Sequence, residues 1–208
     1  DAAVDNGSGV SHSDDFNRAD SGSLGADWTT VNGTIGISSN QAYFGTLFGA
    51  GELQRHRHVG TLPQADMYAT IDLNALSTGG YSDARVMARW SGTSFYELRV
   101  DNAGNAIVNR VVGATETDIF TAESGMTYAL PETWRMEVTG TNPVHISVLR
   151  DGVEVGSFDD SDATRIQTGT QGGIGGYTAA YARRELPITK PSNTPTTIAM
   201  PNPAIVTQ

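Results

Sequence analysis

The chain has 208 residues, enough for one β-sandwich of ordinary size plus additional peptide, and enough to bury a core without covalent staples. It contains no cysteine, which excludes a disulfide framework, a thiolate metal site and a thiol nucleophile. A net charge of −10 opposes a nucleic-acid-binding surface and fits a self-repelling exterior, and no stretch approaches the roughly 18 apolar residues of a membrane-inserting span.

In chain order, residues 1–13 (DAAVDNGSGVSHS) are small and polar and are expected to be a lead-in rather than a strand. No charged-then-apolar leader opens the chain at Asp1, so an upstream segment is expected to have been removed or left out. From Asp14 the pattern takes the period of β-structure. In DMYATIDLNAL, Met67, Ala69, Ile71 and Leu73 share one face and alternate with Tyr68, Thr70 and Asp72. ARVMARW sets Val86 and Ala88 opposite Arg85, Met87 and Arg89, and SFYELRVD sets Phe95, Glu97 and Arg99 opposite Tyr96, Leu98 and Val100. NAIVNRVV, TWRMEVTG and PVHISVLRDGVEVGSFD continue the alternation. Short period-2 runs separated by Gly, Asn, Asp and Ser are the pattern of antiparallel sheets with one buried face.

Two turns are legible. Asn102–Asn105 tolerates positive φ between two strands, and Asp151-Gly152 is the two-residue signal of a type I′ hairpin. No sustained 3.6-residue apolar stripe occurs; TLPQAD and DSDATRI hold one helical turn each at most. The expected fold class is therefore all-β, an antiparallel two-sheet sandwich over residues 14–180.

Past GTQGGIGGY the character changes. Five of the eight prolines fall within Pro187–Pro203. Proline removes amide donors, so residues 181–208 are expected to form an extended arm rather than a central strand. Its prolines Pro187, Pro191, Pro195, Pro201 and Pro203 are interspersed with Leu186, Ile188, Ile198, Met200 and Ile205, apolar side chains suited to docking on neighbouring subunits.

The opening stretch, DDFNRADSGSLGADWTTVNGTIGISSNQAYF, resembles the first strands of concanavalin A-like (laminin-G-like) jelly-roll modules of bacterial secreted proteins and phage minor tail proteins. Asp15, Phe16, Asn17, Arg18, Asp20, Leu24, Gly25, Trp28, Gly33, Ile37, Asn40 and Ala42 carry the match. SFYELRVDNAGNAIVNRVV resembles the module's central hairpin, ETWRMEVTGTNPVHISVLRDGVEVGSFDDS its later strand pair, and GGIGGY its penultimate strand. The resemblance implies a jelly roll whose Trp28 and Trp134 belong to the framework. It also implies a closing strand, which TAAYARREL replaces here; it is expected around Thr178–Arg183 or else supplied to a neighbouring copy by strand addition.

Glycosidases of this fold use a run of alternating carboxylates on one strand, which places two carboxyl groups at the spacing the chemistry needs. No such run occurs. Asp159, Asp160 and Asp162 read as a solvated cap after a hairpin, beside a second small acidic cluster, Glu116 and Asp118. Glu97 and Glu137 read as surface partners of Arg99 and Arg135. His56 and His58 share one strand face, two potential zinc ligands without an identifiable third, and the preferred reading is a solvated polar face. His12 and His145 stand alone, and no Ser-His-Asp grouping is visible, so no catalytic residue is assigned and the chain is expected not to be an enzyme.

Jelly rolls of this kind carry a rim calcium ion in many cases. Asp14, Asp15 and Asp20 are the candidates, against a preferred reading as an Asx-capped turn; no other cofactor is expected. Tyr81, Asp83 and Trp90 lie at expected loop ends, where an aromatic face beside polar groups suits a sugar. Two functions remain open. The favoured one is a structural component of a phage virion, a minor tail or capsid-decorating subunit at the virion surface. Its arm would dock on other virion proteins or copies of itself, and its jelly roll would adhere to host glycan. The alternative is a secreted, extracellular carbohydrate-binding module.

Overall fold

The computed structural model describes residues 2–5, 11–44, 53–77 and 80–178, which form strands and turns with no helix among them. One antiparallel sheet has the spatial order β14 (Val153–Asp160), β13 (Val144–Arg150), β12 (Glu132–Thr139), β7 (Met67–Leu73), β1 (Ala2–Asp5), β2 (Ser11–Asp14). A second has the order β11 (Thr115–Glu123), β10 (Asn105–Val112), β9 (Ser94–Asp101), β8 (Ser82–Ser91), β15 (Gln171–Thr178), β6 (Gln54–His58), β3 (Trp28–Asn32). β4 (Gly36–Ser38) and β5 (Gln41–Tyr43) pair separately.

The alternation read from the sequence packs the core. Met67, Ala69, Ile71 and Leu73 of β7 are buried while the residues between them are partly exposed. They join Trp134, Met136 and Val138 of β12 and meet Val86, Leu98, Val100 and Val108 of the other sheet. Each fully buried aliphatic side chain of this kind contributes roughly 1.5–3 kcal/mol. Trp134 is in the core as expected; Trp28 is half-buried against its margin. The Asp151-Gly152 turn has both residues at positive φ (50° and 81°), the type I′ geometry.

Four features differ from the sequence reading. Residues 1–13 supply two strands rather than a lead-in: β1 inserts between β7 and β2, burying Ala2 and Val4. Two inward residues are too few to show a period, so the pairing with β7 decides. A β-bulge interrupts β8 after Ala88, where Arg89 takes a φ of 54°. It turns Arg89 to the interior, where its guanidinium donates to Ala65 O (2.9 Å), Ile166 O (3.2 Å) and Asp66 Oδ1 (2.7 Å). Trp90 goes to the outer face instead.

Third, Asp160 is not a solvated cap: it is 2 % exposed and receives Arg110 Nη1 at 2.8 Å and the Tyr96 hydroxyl at 2.8 Å. Fourth, His56 is 3 % exposed inside the sandwich and accepts Ile35 N–H at 3.2 Å, so the two histidines of β6 do not line a solvated face. The expected arm (181–208) and the residues of a closing strand beyond Thr178 lie outside the described residues.

The glycines of β15 let other side chains close over it. A Cβ on Gly173 would sit 2.5 Å from His56 O, and one on Gly175 would sit 2.6 Å from Gln54 O and 2.7 Å from the Met87 methyl. One on Gly172 would strike Val4.

Candidate functional site

The outer face of the seven-stranded sheet concentrates the chain's polar chemistry. β6 sends Arg55 outward, β8 sends Arg85 and Met87, β9 sends Phe95, Glu97 and Arg99, and β10 sends Asn109 and Val111. Glycine at 173 and 175 leaves room between β6 and β8 for the long side chains to lie across the strand.

Glu97 is fully buried at the centre, accepting Arg55 Nε at 2.7 Å, Arg55 Nη2 at 2.9 Å and Arg85 Nη1 at 2.5 Å. It is therefore not the surface partner of Arg99 that the sequence implies: Arg85 reaches it from the adjacent β8, and Arg55 reaches it from β6 across β15 and β8. Glu116 accepts Arg55 Nη2 (2.6 Å), Arg85 Nη1 (3.2 Å) and Asn109 Nδ2 (2.7 Å). Asp83 takes the other side of Arg85 in a bidentate pair, 2.9 and 2.8 Å, and accepts the Tyr81 hydroxyl at 3.1 Å. Arg99 lies 3.7 Å from Glu116 and 3.5 Å from Asp118.

Burial pushes the Asp83 carboxyl up, against the pull of Arg85. Burial acts in the same direction on Glu116, but Arg85 and Arg55 outweigh it and hold that carboxyl below the ordinary range. A glycosidic general acid needs a raised pKa and a free oxygen. Glu97 and Glu116 share the same two guanidinium groups and form a fixed ionic lattice with them.

Beside the lattice, toward β3, lies a pocket of about 320 Å³. Trp90 and Phe95 stack at 4.1 Å and 22° on one side, Arg57 and Arg55 line another, and Thr29, Thr30 and Asn32 add polar groups. Met87, Trp90, Phe95 and Val111 form an apolar cluster of their own, separate from the core.

The three residues expected to contact sugar are thus placed differently from one another. Tyr81 is 40 % exposed and stands near Tyr177, ring centroids 5.7 Å apart. Asp83 lies within β8, fully buried, not at a loop end. Trp90 lines the pocket but is only 3 % exposed, with its Nε1 donating to Gly92 O at 3.0 Å. The alternation of arginine and histidine in QRHRH was the available signal for Arg55 and Arg57, and it was read as a polar face; the bulge that brings Trp90 to them leaves no mark in the sequence.

The aspartates considered for calcium do not fit an ion. Asp14 accepts Arg18 Nη1 (2.6 Å), Arg18 Nη2 (2.9 Å), Trp28 Nε1 (2.7 Å) and Phe16 N–H (2.8 Å). Asp15 accepts Asn17 N–H (3.0 Å) and Asp20 accepts Ser39 N–H (2.8 Å). This is the Asx-capped turn, and no cluster of three metal-ligating side chains exists among the described residues. His12 and His58 stack at 4.9 Å, so His12 does not stand alone.

One grouping was missed altogether. His145 Nδ1 lies 2.7 Å from Asp159 Oδ1, and its Nε2 lies 3.2 Å from Ser147 Oγ, on the outer face of the six-stranded sheet. The connectivity is that of an acyl-transfer triad. Ser147, however, pairs with Glu137 on one side and Ser157 on the other, so the ladder takes the backbone donors an oxyanion hole would need.

Neither a family model nor a curated protein matches the sequence. Solved structures do match the fold. A carbohydrate-binding module, CBM66 from Bacillus subtilis, superposes with a TM-score of 0.55 at 16% identity, covering 80% of this chain and 96% of the module. A β-glucanase from Bacillus licheniformis gives 0.52 at 13% identity (85% and 96% covered). A prokaryotic β-1,3-1,4-glucanase from a mouse hindgut metagenome gives 0.51 at 10% (79% and 84%). The chain is a concanavalin A-like jelly roll, a fold that carries both binding modules and glycoside hydrolases.

Proposed function

We propose that this chain is a non-catalytic carbohydrate-binding module that receives a glycan on the outer face of its seven-stranded sheet. The observation that carries the reading is the 320 Å³ pocket, lined by the edges of the stacked Trp90 and Phe95 rings together with threonine, asparagine and arginine side chains. Sugars present apolar C–H faces and a dense set of hydroxyls, and a wall of rings beside convergent polar groups matches both. The likeness to a carbohydrate-binding module supports the same reading. The lattice around Glu97 and Glu116 supports binding over hydrolysis, because its carboxylates are already engaged by Arg55 and Arg85. On this reading the protein acts on extracellular polysaccharide.

A phage virion subunit was the favoured expectation. It rests on the opening motif and on an arm that lies outside the described residues, whereas the described residues include the pocket beside Trp90 and Phe95. The carbohydrate-binding reading therefore takes precedence. A virion jelly roll that adheres to host glycan would use this same face.

The test is a screen of immobilised polysaccharides followed by calorimetry. Saturable binding that weakens on Thr30→Ala and Phe95→Ala is expected. No binding to any polysaccharide, or binding insensitive to both variants, overturns the reading.

A further inference from the structure

We propose that the glycan is acidic, and that the pocket seats an anionic oxygen group, a uronate carboxylate or a sulfate ester, on the Arg57 guanidinium. The inference rests on the glycan-binding reading and names the ligand class of that site.

The arginines of the lattice are all engaged. Arg55 is bound to Glu97 and Glu116, Arg85 to Asp83, Glu97 and Glu116, and Arg99 to Glu116 and Asp118. Arg57, on the same strand as Arg55 and lining the pocket, differs. Its guanidinium forms no ion pair or hydrogen bond among the described residues, and its Nε is shielded from solvent without a partner. Arg99 and Arg135 also have a shielded Nε, but both place their terminal nitrogens on carboxylates.

A guanidinium costs free energy to desolvate and recovers it when its planar fork meets a carboxylate or sulfate in two parallel hydrogen bonds. The neighbouring carboxylates are already committed to three other arginines. Of the two arginines that line the pocket, Arg57 is thus the one whose guanidinium is not already held by a carboxylate. There it lies beside Thr29 and Thr30, which suit the ring hydroxyls, and the Trp90–Phe95 wall, which suits the ring carbons. A neutral sugar would leave the cation without a counter-charge; a uronate or a sulfated sugar supplies one. The chain's overall charge of −10 does not oppose this at physiological ionic strength, because charges beyond about 8 Å are screened while a contact pair is not.

The experiment is calorimetry with the full chain at physiological salt, using alginate as the carboxylate polymer, dextran sulfate as the sulfated one and unmodified dextran as the neutral control. The variant is Arg57→Gln, which keeps donors but removes the charge. Binding to alginate or dextran sulfate, weakened at least about tenfold by Arg57→Gln, is expected. Which polymer binds identifies the anionic group. The thermal midpoint of the variant should match that of the parent, since Arg57 has no partner to lose. Dextran, or another neutral polysaccharide from the screen, binding as tightly as the acidic polymers would overturn the acidic-glycan proposal and leave the carbohydrate-binding reading standing. Acidic polymers bound equally by parent and variant would overturn the role of Arg57. Failure of every polysaccharide, neutral or acidic, would remove both.

Discussion

Arg110 of the seven-stranded sheet and Asp160 of the six-stranded sheet meet between the two layers, with Nη1 2.8 Å from each carboxylate oxygen. The Tyr96 hydroxyl donates to the same carboxylate and accepts the amide of Ile166 at 3.0 Å. A charged pair in this position ties the relative placement of the sheets to one geometry, which apolar contacts alone do not do.

Removing one partner strands the other. Arg110→Met is expected to cost about 3–5 kcal/mol, because Asp160 keeps only the tyrosine and backbone donors inside a low-dielectric layer. The double variant Arg110→Met/Asp160→Leu should recover much of that loss. Urea denaturation of the two variants decides it; a single variant within about 1 kcal/mol of the parent would show that the pair contributes little.

Gly173→Ala is expected to destabilise by about 1–3 kcal/mol. The added Cβ meets the carbonyl oxygen of His56 at 2.5 Å, and backbone in the middle of a sheet cannot withdraw as a side-chain tip can. Gly113→Ala is the control: its Cβ meets nothing within 4 Å, and only its φ of +63° opposes the change. Thermal denaturation should rank Gly173→Ala as the more damaging.

Burial holds the His56 imidazole down at about 4, against an ordinary value of 6.5. The unfolded chain therefore binds a proton in the window between those values that the folded chain refuses. Stability is full above pH 6.5 and falls as pH drops toward 4. His58 is lowered too, by burial and by the adjacent His12, and adds to the same slope. His56→Gln, which retains an acceptor for Ile35 N–H, should flatten the pH dependence of the denaturation midpoint between pH 6.5 and 4. An unchanged slope would show that His56 does not drive it.

Arg89→Met removes three hydrogen bonds that hold a left-handed backbone in place. A loss of about 2–4 kcal/mol is expected. The bulge also aims Trp90 at the pocket, so glycan binding should weaken along with stability and the tryptophan emission should shift. Loss of stability with unaltered binding would separate the bulge from the site.

How much of this was legible before the structure depends on the range of the forces involved. The alternation of Met67, Ala69, Ile71 and Leu73 needs only a strand and a core beneath it, and it was read correctly. So was Asp151-Gly152, because a two-residue turn is a local event. Arg89 could not be read, since a bulge shifts the period by one residue and leaves the composition intact. Asp160 and Glu97 were misplaced for a related reason: each looks solvated until a partner from a distant strand, Arg110 or Arg55, arrives to neutralise it. Arg57 was visible as a residue but not as a vacancy, because its lack of a partner is defined by where Glu97 and Glu116 have already gone.

The four outermost strands, β2 and β14 of one sheet and β3 and β11 of the other, have no strand on their outer side among the described residues. The acids of β11, Glu116, Asp118 and Glu123, are paired with Arg85, Arg99 and Arg150, whereas β14 carries Glu154 and Asp159 exposed along its border. Two copies approaching through β14 bring these like charges together before any backbone bond can form. The acidity of the chain thus acts as a boundary condition, keeping each sandwich finite where an uncharged border would let sheets extend from one molecule into the next.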